Sequence, residues 1–183
     1  MWSVFEFLSP MLSTWHMIRA SGLVAYGLVS IAVISGMLQS LRMAPSAIRA
    51  DLVTLHNTAS WFGLLFAGVH GWLLLYDQYV GYTVVEIAIP FISDHETIKE
   101  AIGILSFYLF FILVLSSDIR SKIGQKAWRV VHYTAFLAYV LSLVHSIAMG
   151  TDTAIPWVLG IYLSTACIIF CLLVMRITRG IAR

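Results

Sequence analysis

Two stretches of the chain decide its fold: residues 56–70 read HNTASWFGLLFAGVH, and residues 132–145 read HYTAFLAYVLSLVH. Each begins and ends with histidine, and neither contains Asp, Glu, Lys or Arg. A helix needs about 20 mainly apolar residues to cross a hydrocarbon core of roughly 30 Å. Because each stretch lies inside a longer apolar run, both predict membrane-spanning helices that carry two histidines each.

The composition of the whole chain indicates a protein whose solvent is lipid. Of its 183 residues, 60% are hydrophobic and 11% are charged, and the mean hydropathy is +0.90. Soluble domains are about 45–50% apolar and about 25% charged. The formal net charge is only +2, so no basic field favours nucleic acid. We therefore expect membrane lipid as a partner and no nucleic-acid partner.

Five stretches are long and apolar enough to span a bilayer, at approximately 18–40, 52–76, 98–117, 130–149 and 155–175. They predict an all-α integral membrane protein, a five-helix transmembrane bundle within residues 17–183. Residues 1–16 mix aromatic side chains with Glu6, Ser9 and Pro10. This pattern is typical of an interfacial segment, which we place on the outer face.

The distribution of charge predicts the orientation of the bundle, since Lys and Arg mark the cytoplasmic side. The loop after the first span, the loop after the third span and the C-terminal tail are all basic. The 77–97 loop carries four acidic residues and no Lys or Arg. We predict a multi-pass protein of the cell inner (plasma) membrane, with its N-terminus outside and its C-terminus in the cytoplasm. The basic residues are Arg42, Arg49, Arg120, Lys122, Lys126, Arg129, Arg176, Arg179 and Arg183.

The four histidines of the two stretches are predicted to form two levels in the membrane. The spacings of 14 and 13 residues correspond to about 21 Å and 19.5 Å along a helix. Both helices are predicted to run outward, so His56 and His132 share an inner depth, and His70 and His145 an outer depth. Two imidazoles that face each other from neighbouring helices are the axial ligands of a six-coordinate haem. The sequence therefore predicts two stacked haems, an inner one on His56/His132 and an outer one on His70/His145.

The unequal spacing of the histidines predicts an irregular fourth span. On an ideal helix, 14 positions return to within about 40° of the same face, but 13 positions leave the second ligand roughly 140° away. We expect the fourth span to bend, to contain a local irregularity, or to meet its two haems from different sides.

Other interpretations of intramembrane histidines are core residues bonded to backbone carbonyls and a proton relay of a transporter. A relay normally includes buried carboxylates, whereas every Asp and Glu of this chain lies in a loop or at a span end. A zinc or iron centre is disfavoured because the two pairs are too far apart to converge on one ion. We therefore favour haem over a relay.

Two further features bear on a haem site. Small residues on the second span leave room for a flat macrocycle or serve ordinary helix packing, and the sequence does not decide between these. Haem propionates favour a cation near each interface, and Arg129 suits the inner haem while Arg19 suits the outer one. Either arginine could instead reach the lipid headgroups. The small residues are Ala59, Gly63, Ala67, Gly68 and Gly71.

The stretches LHNTASWFGLLFAGVH, residues 55–70, and WRVVHYTAFLAYVLSLVH, residues 128–145, resemble the ferric reductase-like transmembrane domain. That family includes ferric reductases, NADPH oxidases and the membrane haem subunit of the periplasmic methionine sulfoxide reductase system. The resemblance covers the five spans. It implies that His56, His70, His132 and His145 ligate an inner and an outer haem b, and that electrons pass from a cytoplasmic flavin to an outer acceptor.

Two departures from the family alter the expected function. Members commonly have six spans, of which the first is missing here, and the larger enzymes add a flavin and nicotinamide domain where this chain has only GIAR after Arg179. We expect an oxidoreductase component that receives electrons from a separate reductase, quinol or a neighbouring electron-transfer subunit and delivers them to an external acceptor. The alternatives are a non-catalytic haem-bearing anchor subunit of a respiratory or photosynthetic complex, and a proton-coupled transporter.

Overall fold

The computed structural model describes residues 13–181, and this part of the chain is helical without any strand. Two short 3₁₀ segments, Ser46–Ile48 and Thr151–Ala154, lie between longer elements. The α-helices are α1 (Thr14–Ser40), α2 (Arg49–Leu74), α3 (Val84–Ala88), α4 (Thr97–Asp118), α5 (Arg120–Ile123), α6 (Gln125–Tyr133), α7 (Ala135–Met149) and α8 (Pro156–Ile181).

Within the described residues, five segments are long and apolar enough to cross a bilayer: Thr14–Ser40, Ser46–Leu74, Thr97–Asp118, Gln125–Met149 and Pro156–Arg179. The prediction of an all-helical protein with five spans is thereby confirmed. The first span begins four residues earlier than predicted, so the last three residues of the predicted interfacial segment 1–16 belong to α1. Residues 1–12 of that segment lie outside the described part, and its placement in the interface stays a prediction.

The helices pack mainly as two pairs, α1 with α2 and α4 with α7. In addition, α1 contacts α7 and α8 and thereby joins the pairs. The two helices that carry the outer histidines, α2 and α7, have at most a marginal contact with each other. The bundle therefore leaves a gap between its histidine-bearing helices, each of which is backed by a partner helix.

A buried polar cluster holds α1, α7 and α8 together between the two histidine levels. The Tyr26 hydroxyl lies 3.0 Å from the Tyr139 hydroxyl and 2.7 Å from the Thr165 hydroxyl. Tyr26 and Tyr139 are fully buried, and the ring of Tyr162 meets that of Tyr26 edge-on at 4.8 Å. Since lipid offers hydroxyl groups no hydrogen bonds, such interhelical bonds favour one packing of the helices.

The fourth span is interrupted at Thr134. Helix α6 ends at Tyr133 and α7 begins at Ala135. The N–H of Thr134 donates to the carbonyl of Val131 at 3.0 Å, three residues back, which is a 3₁₀-type step. This break, two residues after His132, is the local irregularity that was one of the three outcomes predicted from the 13-residue spacing.

Candidate functional site

The four intramembrane histidines form two facing pairs. His56 of α2 faces His132 of α6 with 6.2 Å between ring centroids and 71° between ring planes. His70 of α2 faces His145 of α7 at 6.4 Å and 78°. The structure thus brings the four histidines together in the cross-helix pairs expected from the sequence, and their role as ligands stays a prediction. Because the pairs follow the same order along both histidine-bearing segments, α2 runs parallel to α6 and α7, and the pairs define two levels. We name them by their predicted sides, the His56/His132 pair as the inner level and the His70/His145 pair as the outer level.

The separation of the rings fits two nitrogen ligands on one metal atom. An imidazole nitrogen lies about 2.0–2.1 Å from a bound metal ion such as zinc. With a metal midway between two such nitrogens, the two metal–nitrogen distances and the distance from each nitrogen to its own ring centroid add up to about 6.3 Å between centroids. The observed distances of 6.2 Å and 6.4 Å agree with this value. Within residues 13–181 no three His, Cys, Asp or Glu side chains converge as a metal site, so any metal here would be held by pairs.

Three of the four rings are oriented by a hydrogen bond from Nδ1 to a backbone carbonyl of the helix behind. A carbonyl can only accept, so Nδ1 carries the proton and Nε2 keeps the lone pair that a metal would bind. Ligating histidines usually have such a partner on the other ring nitrogen. The bonds join His56 to Ala32 at 2.7 Å, His70 to Ile18 at 2.9 Å and His145 to Lys99 at 2.9 Å.

A glycine lies against each of these three rings, one helical turn after the accepting carbonyl. A Cβ at Gly36 or Gly22 would lie 3.1 Å from the nearest ring atom, and one at Gly103 would lie 2.5 Å away. We call each carbonyl with the glycine four residues later an imidazole slot. The slots are Ala32/Gly36 for His56, Ile18/Gly22 for His70 and Lys99/Gly103 for His145.

His132 is held differently. Its Nδ1 is buried and has no hydrogen-bond partner among the described residues. The ring is stacked on Trp128, one turn earlier in α6, with 4.7 Å between centroids and 25° between planes. The inner level therefore has one slot-held ring and one stacked ring.

A cavity of about 620 Å³ lies beside the outer histidine pair, within the range of roughly 300–1,000 Å³ that ligand cavities have. His70 and His145 line it together with Ala67, Gly68 and Gly71. No atom lies within 4 Å of a Cβ placed on Gly71. These three small residues therefore open space beside the outer pair.

The other two small residues of α2 serve helix packing instead. A Cβ on Gly63 would contact Leu28 and Phe110 at 3.4 Å, and Ala59 is only 3% exposed. The two explanations that the sequence left open thus apply to different parts of α2, packing toward the inner half and free space toward the outer half.

The outer loop covers this cavity with short helix α3. Thr83 and Glu86 form a capping box at its start, and the bonds from Thr83 lower the pKa of the Glu86 carboxyl.

The Tyr82 hydroxyl donates to Glu100 Oε1 at 2.6 Å, and burial is the main cause that raises the pKa of Tyr82. The other oxygen of Glu100 is buried without a partner in the described chain. Glu100 lies at a span end, as expected, but its side chain is buried. The argument that a proton relay is disfavoured because the chain has no buried carboxylate is weakened by this finding.

The two predicted propionate partners lie in contrasting surroundings. Arg19 lines the outer cavity, but it forms an ion pair with buried Asp152, through Nε to Oδ2 at 2.9 Å and through Nη2 to Oδ1. Arg129 is exposed on α6. Two other cations that were not predicted as candidates lie near the inner level. The Arg120 guanidinium lies 4.3 Å from the centroid of the Trp128 ring, and the Arg176 guanidinium lies 5.7 Å from the centroid of the Tyr133 ring.

The structure thus defines a multi-pass membrane protein with two levels of paired histidines between its helices. A family model described as the ferric reductase like transmembrane component matches residues 21–143, and the chain belongs to this family. Domains of the family generally bind haem and serve electron transfer in membranes. The match includes three of the four paired histidines and ends two residues before His145. Searches of curated proteins and of solved structures found no significant match.

Proposed function

We propose that this protein carries electrons across the membrane by means of two b-type haems, one at each histidine level. The observation that supports this proposal is the geometry of the pairs. Two pairs of rings, 6.2 Å and 6.4 Å apart, each have the spacing that one metal atom between them requires. A non-functional contact between buried histidines would not need the same spacing at both levels.

The residues that would hold the cofactors are His56 and His132 at one level and His70 and His145 at the other. A haem held by such a pair would supply reversible one-electron chemistry at that level. The imidazole slots keep the Nδ1 proton on the side of the carbonyl and so leave Nε2 available. Mainly apolar side chains, including residues of α3, line the cavity beside the outer pair.

The direction of transfer follows in this proposal from the orientation that the charges predict. The basic loops lie on the cytoplasmic side, which makes the His56/His132 level the inner one. A separate reductase, quinol or a neighbouring electron-transfer subunit would supply electrons there. For a protein donor, exposed Arg120, Lys122, Lys126 and Arg129 offer a positively charged docking face. The external acceptor would approach the outer cavity between Arg19, His16 and the 77–97 loop. Arg19 and Arg129 remain our candidates for propionate contacts.

Electron transfer across a sealed vesicle tests this function. Haem-loaded protein would be reconstituted into vesicles that contain ferricyanide, ascorbate would be added outside, and the loss of ferricyanide absorbance would be followed. We expect bleaching well above that of protein-free vesicles, and background rates for His56→Ala and His145→Ala, which each remove one ligand from a different level. Cys167→Ala is the control, because Cys167 is exposed on α8 and belongs neither to a histidine pair nor to the proposed acceptor region. The proposal would be contradicted, and the anchor-subunit alternative favoured, if ferricyanide bleached no faster in vesicles with fully haem-loaded native protein than in protein-free vesicles.

A further inference from the structure

The inner level lacks the fourth imidazole slot, and the register of α4 against α7 explains why. Gly103 of α4 faces His145, and the Ser106 hydroxyl donates to the carbonyl of Ala138 at 2.9 Å. Since these contacts run antiparallel along the two helices, the level of His132 is reached near Leu113 and Val114. Both side chains are buried, each 5% exposed, and no glycine occurs between residues 104 and 118. Side chains therefore fill the place where a slot would be.

Trp128 lies beside His132 instead and is itself fixed at several points. Its indole Nε1–H donates to the Ser117 hydroxyl of α4 at 3.2 Å. The Arg120 guanidinium lies over the same indole, in the cation–π arrangement that favours tryptophan. Gly124, at φ 81, turns the chain between α5 and α6 so that these residues meet. The indole is thus anchored to both neighbouring helices before it meets the imidazole.

We propose that Trp128 is the positioning residue of His132, with its stacked indole in the role that a carbonyl and a glycine have for the other three histidines. This inference rests on the proposed two-haem function. Stacking restricts the plane of the ring but offers no acceptor to Nδ1–H. An acceptor on that nitrogen makes a ligating imidazole a stronger donor to the metal, and His132 has no such acceptor among the described residues. The haem that His132 holds is therefore more easily reduced than a fourth slot would make it.

The test compares Trp128→Leu with Trp128→Phe in purified, haem-loaded protein. The readouts are the low-spin electron paramagnetic resonance signal and the midpoint potential of each haem, assigned to its level by His132→Ala and His145→Ala. Trp128→Leu should shift both readouts for the His132 haem, weaken the binding of that haem about tenfold, and leave the His145 haem unchanged. Trp128→Phe, which keeps a stacking ring, should remain close to the native protein. Ser117→Ala should shift the same signal by a smaller amount, which keeps the test decisive if Trp128→Leu does not fold.

Trp61→Leu is the matched control, because Trp61 is 46% exposed on α2 and, unlike Trp128, is not stacked on a paired histidine. The inference is overturned if Trp128→Leu changes neither haem, if it alters both haems equally, or if Trp128→Phe is as disruptive as Trp128→Leu. A native protein that binds no haem would overturn the proposed function as well, so the two failures are distinguishable.

Discussion

Replacing Gly103 by alanine tests the imidazole slot at its tightest point. The added Cβ would lie 2.5 Å from both Nδ1 and Cε1 of His145 and 2.9 Å from its Cγ. Carbon atoms at their best separation are about 3.5–4.0 Å apart, so the ring must move by about 1 Å. Such a movement lengthens the 2.9 Å bond from Nδ1 to the carbonyl of Lys99 beyond hydrogen-bonding range. A buried donor left unsatisfied costs about 1–3 kcal/mol.

We therefore expect Gly103→Ala to weaken binding of the outer haem by about 10–100-fold, the usual effect of losing a partner of a ligating histidine. The assay is titration of haem into the apo-protein, followed by the pyridine haemochrome spectrum and the low-spin resonance of each haem. Gly22→Ala, with its nearest approach of 3.1 Å, should have a smaller effect on the same haem, and Gly27→Ala, with no atom within 4 Å, should have none. The slot would be refuted if Gly103→Ala binds both haems like the native protein, or if Gly27→Ala loses as much haem.

Three other predictions concern the outer face. Arg19→Leu leaves the buried carboxylate of Asp152 unpaired and should lower the free energy of unfolding by about 1–3 kcal/mol. Thermal unfolding in detergent would measure this loss, and adding Asp152→Asn to the same protein should recover part of it. An unchanged melting temperature would speak against the ion pair. The pKa of Glu86 is lowered in the fold, so its carboxylate stabilises α3 above the unfolded pKa near 4.5 and this contribution is lost as pH falls through the folded pKa. After correction for the intrinsic pH dependence of amide exchange, the protection of the α3 amides should therefore fall as pH drops below 4.5, and Thr83→Val should remove this loss; equal pH responses would argue against the capping box. In Gly71→Leu, the new side chain would project into the cavity at a point where a Cβ meets no atom. This variant should bind less haem at the outer level, while the melting temperature of its apo-protein stays near native. Undiminished binding of the outer haem would show that the haem does not use this space.

The levels and pairing of the histidines could be predicted from the sequence because they depend on two local quantities. The rise per residue sets the depth of His56 and His70 along one helix, and the loop charges give the two histidine-bearing helices the same predicted direction. The 13-residue spacing likewise predicted that the fourth span departs from a straight helix facing one side, but the sequence did not choose among a bend, a local irregularity and opposite-sided binding; the break at Thr134 is the irregularity.

The partners of the histidines could not be predicted because they depend on which helix lies behind each ring. One signal was nevertheless present: Gly22 and Gly36 are 14 residues apart, the same spacing as His56 and His70. On two antiparallel helices, equal spacing brings each glycine to one histidine. Both glycines lie on α1, outside the histidine-bearing helix from whose small residues the haem site was predicted.

The pairing of Arg19 with Asp152 was missed for a related reason. The two residues are 133 positions apart, and Asp152 reaches Arg19 because the 3₁₀ segment Thr151–Ala154, which packs on α8, brings its side chain to the N-terminal part of α1. From the sequence, an arginine at a span end indicates only a cation near the interface. Its actual partner depends on how the turn between α7 and α8 is packed, which no local pattern encodes.

The central claim, that each histidine pair holds one haem, is tested most directly by counting haems in the purified protein. The account predicts two haem b per native chain by pyridine haemochrome, with sharp low-spin spectra after dithionite reduction. It predicts that His70→Ala loses the haem of the outer level and retains the one of the inner level, and that His56→Ala does the reverse. A native protein that stays colourless after haem supplementation, or a His70→Ala variant that still binds two low-spin haems, would contradict the account.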